Sequence, residues 1–156
     1  MSFFNALRIA GSALTAQRLR TDVIADNIAN MNTTRTAEGG PYRRQQLVFT
    51  PRQEQVPFRT ILLAQGVVNI PSPTGATMPP GQGVRVSRVG PDDRPARRTY
   101  EPDHPDADAE GFVGYPDIDP VTEMADMLSA TRAYEANVTA LNAAKAMASK
   151  ALEIGR

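Results

Sequence analysis

The chain has 156 residues, a formal net charge of zero, 13 Pro, 11 Gly and no Cys. That length supports one unit with a sizeable core, while the absence of Cys excludes disulfides and thiolate metal sites. No apolar run approaches the ~20 residues of a membrane span, and residues 1–20 lack the zones of a secretory signal, so the protein is expected either to be cytoplasmic or to leave by a route that does not cleave it.

Phe3 to Asn30 reads as a long helix, with no Pro and a single Gly, Gly11. Leu7, Leu14, Thr21 and Ile28 recur every seven residues, and Ala10, Gln17, Ile24 and Met31 keep the same register, which is the spacing of a helix–helix seam. Its Gly, Ser, Thr, Gln and Asn content makes this helix weak in isolation, so it is expected to order by packing. Asn27, Asn30 and Asn32 are expected to fix the turn that leaves it, since Asn tolerates turn conformations and its amide satisfies free backbone groups.

Thr33 to Pro41 is rich in turn residues. A strand is expected within Tyr42 to Thr50, around Gln46-Leu47-Val48-Phe49, and a second at Gly83 to Val89, where apolar and polar residues alternate. Together they would form a small hairpin or sheet. Pro71 to Gly83 is expected to be a mobile loop. Gly81 and Gly83 lack the strand-turn-helix context of a dinucleotide fingerprint.

Zero net charge hides an asymmetry. Residues 31–100 hold ten Arg against four acids, and residues 101–119 hold seven acids and no Lys or Arg. A nucleic-acid binder shows a basic surplus with exposed aromatics. Here the balancing acidic block points instead to contact between the two blocks, within one chain or between subunits.

Asp106, Asp108, Glu110 and Asp117 approximate the spacing of a calcium loop. Pro105 and Pro116 interrupt that pattern and Asp117 is a methylene short of the usual Glu, so a solvated acidic turn is the favoured reading and no metal or other cofactor is expected. His104 is the sole His and has no Cys to pair with, and Asp22 and Asp26 read as a solvated helix face. No enzymatic site and no small-molecule substrate are expected.

Asp119-Pro120 reads as the start of the last helix, Asp as cap and Pro at the first helical position. Nothing stops it before Gly155, which gives roughly 50 Å at about 1.5 Å per residue. Tyr134, Val138, Leu141, Lys145, Ala148 and Leu152 alternate four and three in spacing, and Met124, Leu128 and Thr131 extend the row backwards. Ala recurs on every side of this helix, a composition that suits several close neighbours.

The residues also carry a resemblance. Ala13-Leu14-Thr15-Ala16-Gln17-Arg18-Leu19-Arg20 followed by Asn27-Ile28-Ala29-Asn30-Met31-Asn32-Thr33 resembles the N-terminal signature of bacterial flagellar rod and hook proteins. Thr33-Thr34-Arg35, Glu38 to Arg44, His104-Pro105-Asp106-Ala107-Asp108 and Arg132-Ala133-Tyr134-Glu135-Ala136-Asn137 are similar to the proximal-rod branch of the flagellar basal-body rod protein family. The resemblance implies N- and C-terminal helices paired as a coiled-coil-like unit and packed helically around a lumen. It further implies uncleaved export by the flagellar type III apparatus into the periplasmic rod, transmission of motor torque, and partners among copies of the chain, other rod proteins, and membrane-ring and export-gate components at the rod base.

The expected fold is therefore mainly α, with an N-terminal helix in 1–32, a β/loop insertion in 33–119 and a C-terminal helix in 120–156. Leu7, Gly11, Leu14, Ile24 and Ile28 are expected to pack against Leu128, Tyr134, Val138, Leu141 and Leu152. The alternative is a soluble coiled-coil adaptor or calcium-binding module outside the flagellum.

Overall fold

Asp119 caps the last helix as its sequence suggests. Its carboxylate accepts the backbone N–H of Val121 and of Thr122, both at 3.2 Å, and its carbonyl accepts Glu123 N–H at 3.0 Å. Such a cap is worth about 1 kcal/mol. The computed structural model describes residues 3–52 and 81–154. It runs α1 (Phe3–Ala29), β1 (Gln45–Pro51), β2 (Val84–Pro91), β3 (Arg97–Tyr100), β4 (Phe112–Tyr115) and α2 (Pro120–Ile154). The loop expected over 71–83 lies, as far as residue 80, outside the described residues.

The two helices pack along each other. Asn27 meets Glu123, while Arg18 and Thr21 stand beside Thr131 and Tyr134, so chain numbers fall along α1 as they rise along α2 and the pair is antiparallel.

The strands form two separate antiparallel hairpins, β1–β2 and β3–β4. In the first, Val48 pairs with Arg88 and Phe49 with Val86, which leaves Ser87 as the extra residue of a bulge, and its hydroxyl donates to the Val48 carbonyl at 3.0 Å. A bulge bends a strand and changes which side chains face inward. The inward residues follow suit: Leu47 faces Val23, Ile24 and Asn27, whereas Val84 and Val86 face Ser12, Ala16 and Leu19 across the bend. Thus α1 lies between α2 and the first hairpin.

Gly83 marks the closest approach in that arrangement. It has φ +107°, and a Cβ there would strike the Ser12 hydroxyl. That hydroxyl donates to Ile9 O at 2.7 Å and accepts Val84 N–H at 3.1 Å, joining helix to hairpin.

Residues 97–115 form the second hairpin, where the sequence suggests only an acidic stretch over 101–119. Its strands have four residues each, and much of their order comes from the loop. Asp108 accepts the N–H groups of Glu110 at 3.0 Å and Phe112 at 2.9 Å and forms an ion pair with Arg98, which lies over the Phe112 ring. The signal available was Phe112-Val113-Gly114-Tyr115, an aromatic and β-branched run between Gly111 and Pro116.

Candidate assembly interface

Along α2 the covered side chains include Glu123, Met127, Ala130, Ala133, Asn137, Leu141, Ala144 and Ala148, spaced by threes and fours, with Asp126 and Val138 half-buried beside them. This row lies about one position off the one expected from sequence. Leu128 is 52% exposed, Tyr134 40% and Leu152 77%, so in the single chain they are less covered than the residues of this row. Tyr134 stands at its rim, beside Arg18, Thr21 and Asp22. The displacement has a simple origin. Ala occupies most sides of the helix, and the position facing inward at its first turn is Glu123, a charged residue that a search for apolar spacing passes over.

Val138 and Leu141 are half-buried, as are Leu7, Gly11, Leu14 and Ile28 on α1, while Ile24 is buried. Among the described residues the buried apolar side chains are Ala16, Val23, Ile24, Val113 and Ala130. The two Ala permit close helix approach but bury little area, and at about 25 cal/mol per Å² they contribute correspondingly little.

A polar cluster occupies the centre of the junction instead. Asn27 and Glu123 are each 1% exposed. The Asn27 amide pairs with the backbone of Gln45 as a strand would, its Oδ1 accepting Gln45 N–H at 2.8 Å and its Nδ2 donating to Gln45 O at 3.0 Å. It also receives the Tyr42 hydroxyl at 3.2 Å and reaches Glu123 Oε2 at 3.3 Å. Arg44 Nε donates to the other Glu123 oxygen at 2.6 Å. Asn27 therefore belongs to the joint between α1, α2 and β1 and not to the turn after α1, which corrects the role expected for it. The Tyr42 hydroxyl is pushed above its ordinary pKa by burial first, then by the Asp26 and Glu123 carboxylates.

Around this centre the charges chain outward. Arg44 approaches Asp92 at 3.7 Å and Asp126 at 3.9 Å, Arg20 holds Asp126 at 3.0 Å, and Arg94 bridges Asp92 and Asp117. The Arg94 hydrogen bond is the main cause of Asp92 lying below the usual carboxylate range. In the turn after α1, the Asn30 amide donates to Asp26 O at 2.9 Å and its carbonyl oxygen accepts the Thr33 hydroxyl at 3.2 Å, while Asn32 is exposed.

The basic and acidic blocks meet within the chain, through Arg35 and Asp106, Arg94 and Asp117, and Arg98 with Asp108 and Glu110. This engagement disperses the four carboxylates that mimic a calcium loop. Asp106 accepts the Thr34 hydroxyl and faces Arg35, Asp108 is held by backbone amides and Arg98, and Asp117 faces Arg94. Among the described residues no three His, Cys, Asp or Glu side chains gather as a cation site. His104 accepts the Asp106 N–H through Nδ1 at 3.1 Å and sets its ring edge toward Tyr115.

Exposed apolar side chains run along α2 at Val121, Met124, Leu128, Met147 and Leu152.

Comparison with known proteins agrees with that emphasis on the two terminal helices. The family described as "Flagella basal body rod protein" matches residues 7–35, and "Flagellar basal body rod FlgEFG protein C-terminal" matches residues 109–154. Among curated relatives, the flagellar basal-body rod protein FlgC of Bacillus subtilis is 46% identical over the full length of both chains. The protein of the same name from Borreliella burgdorferi is 44% identical over 99% of this chain and 98% of its own, and that of Escherichia coli O157:H7 40% identical over all of both.

Proposed function

The chain belongs to the flagellar basal-body rod protein family, and from that premise we propose that it is a structural subunit of the proximal rod, assembling helically through its terminal helices. Its neighbours are copies of itself, other rod proteins, and ring and export-gate components at the rod base. It reaches the periplasmic rod through the flagellar type III apparatus and there carries motor torque. In the assembled rod α1 and α2 act as a coiled-coil-like unit, and the residues expected to carry packing divide by exposure. Leu7, Gly11, Leu14, Ile24, Ile28, Val138 and Leu141 serve the pair itself, while Leu128, Tyr134 and Leu152 serve contacts between subunits.

The observation that carries this reading is the imbalance in α2. A helix of 35 residues covers one row against α1, in which Ala130, Ala133, Ala144 and Ala148 are small, and leaves Val121, Met124, Leu128, Met147 and Leu152 largely in solvent. Monomeric proteins seldom display such surface without a partner. The polar cluster complements it, because Arg44, Glu123 and Asn27 lock the first hairpin to the helices so that force on one element is passed to the others.

The test is complementation of a strain deleted for its own copy of this chain, followed by isolation of basal bodies. The chain should be recovered in the rod fraction and motility restored; basal bodies lacking it would sink the reading.

A further inference from the structure

Gln45 turns both of its backbone groups away from β2 and onto the Asn27 amide. Its neighbour Arg44 points the other way, its carbonyl accepting Asp92 N–H at 2.7 Å, and Arg52 N–H likewise reaches Gly83 O at 2.8 Å. Backbone groups alternate from one side of an antiparallel strand to the other. The backbones of Arg44, Gln46, Val48, Thr50 and Arg52 therefore turn to β2, and those of Gln45, Leu47 and Phe49 turn to the opposite edge. Among the described residues no strand lies on that edge, and the Asn27 amide supplies its first rung. A cavity of about 280 Å³ runs along it, floored by Val23 and Ile24 of α1 and walled by Leu47, Phe49 and the Arg20–Asp126 pair. Strand edges are commonly blunted by charge or Pro. β1 carries no charged residue, and its one Pro, Pro51, stands at its far end.

Charge specifies the kind of strand that fits. On the outer face of this hairpin Arg88 pairs with Val48 and Arg85 with Thr50. Both Arg are exposed and make no ion pair among the described residues. The Arg88 guanidinium lies against Gly90, where a Cβ would meet its Nε at 2.7 Å, and so is held along the outer face beside Gln46 and Val48. A strand added to β1 would stand two strand spacings from β2, about 10 Å, which an Arg and a Glu side chain span together. None of β1 to β4 contains Asp or Glu, so among the described residues a second copy of this chain has no strand to match.

We propose that the open edge of β1 is a strand-addition site whose occupant is a short extended segment of a different basal-body protein, in which apolar residues alternate with Asp or Glu. Its main chain pairs with Leu47 and Phe49 in continuation of the Asn27 rung. Its apolar side chains enter the cavity over Val23 and Ile24, and its carboxylates, on the outer face, meet Arg85 and Arg88. That the partner belongs to the basal body rests on the reading of the chain as a rod subunit, whereas its chemistry follows from the edge and the two Arg.

The experiment places a photoreactive benzophenone amino acid at Phe49 of the full chain in a complemented strain, illuminates isolated basal bodies and sequences the crosslinked peptide. The expected adduct joins residue 49 to a different protein, at a segment in which Asp or Glu alternates with apolar residues. Arg85→Glu with Arg88→Glu should lower its yield per recovered chain about tenfold. If that double reversal keeps the chain out of basal bodies, Arg88→Gln supplies the comparison, with an expected fall of about threefold. Adducts confined to this chain's own sequence, adducts on a segment without such carboxylates, or a yield unchanged by the charge variants would each overturn the proposal. The two failures stay distinguishable. A chain recovered in basal bodies without the adduct refutes the strand-addition site alone, whereas an unsubstituted chain missing from them refutes the rod assignment.

Discussion

Replacing Arg44 by Met removes the guanidinium from a carboxylate that is 1% exposed and leaves it one hydrogen bond, the 3.3 Å contact from Asn27. Breaking a buried pair from one side costs about 3–5 kcal/mol, because a charge is left without compensation. The other partners of Arg44 lose less, since Asp126 keeps Arg20 and Asp92 keeps Arg94. For a chain of this size, about 2–4 °C per kcal/mol translates the loss into a fall of roughly 6–20 °C in Tm, read by circular dichroism at 222 nm on the purified protein. The double change Arg44→Met with Glu123→Met should recover most of the stability, because no buried charge is left unpaired and Asn27 Nδ2 loses only its longer bond while still donating to Gln45 O at 3.0 Å. A single variant that loses less than about 1 kcal/mol, or a double variant no more stable than the single, would show that Arg44 does not compensate Glu123.

Val138→Asp or Leu141→Asp should abolish rod assembly while secretion of the chain into the medium stays measurable; a motile strain with normal rods carrying either change would count heavily against the helix contact. Gly83→Ala should cost about 1–3 kcal/mol in urea unfolding, since φ +107° strains any Cβ and the Ser12 hydroxyl blocks its space. Asp119, Asp108 and Asp92 all sit below their ordinary value of 3.8, Asp119 chiefly through the Thr122 hydroxyl, Asp108 through the Phe112 amide and Asp92 through Arg94. Depressed folded values mean that the unfolded chain binds more protons just below the ordinary value. Their contribution is thus complete above the ordinary value and is lost as pH falls through the folded values, and an acid titration of urea midpoints should decline there. Helicity per residue should rise on assembly, with amides of 145–154 exchanging faster than those of 123–137 in the monomer; a monomer already protected to Ile154 would contradict it.

Much of the architecture was legible locally. Asp119-Pro120 marks a helix start because cap and first-turn chemistry act within four residues, and the Pro-free runs after it and after Phe3 leave the chain no reason to break. The alternation in Val84 to Val89 likewise points to its strand, since a period of two is a property of the backbone itself.

Decisions that depend on distant partners were not legible. An Ala-rich helix has no strongly apolar side, so spacing alone could not tell the row through Tyr134 and Leu152 from the neighbouring row through Ala130 and Asn137. Asn27 looks like a turn residue until Gln45 and Glu123 are brought to it from 18 and 96 positions away. The acidic block reads in sequence as a solvated turn, and only the fold brings Arg35, Arg94 and Arg98 to Asp106, Asp117 and Asp108. Local chemistry thus determined where the helices and first strands begin and end, because capping and periodicity act over a few residues. Only the tertiary structure decided which sides meet, because the energy of a buried charge or amide depends on which partner arrives beside it.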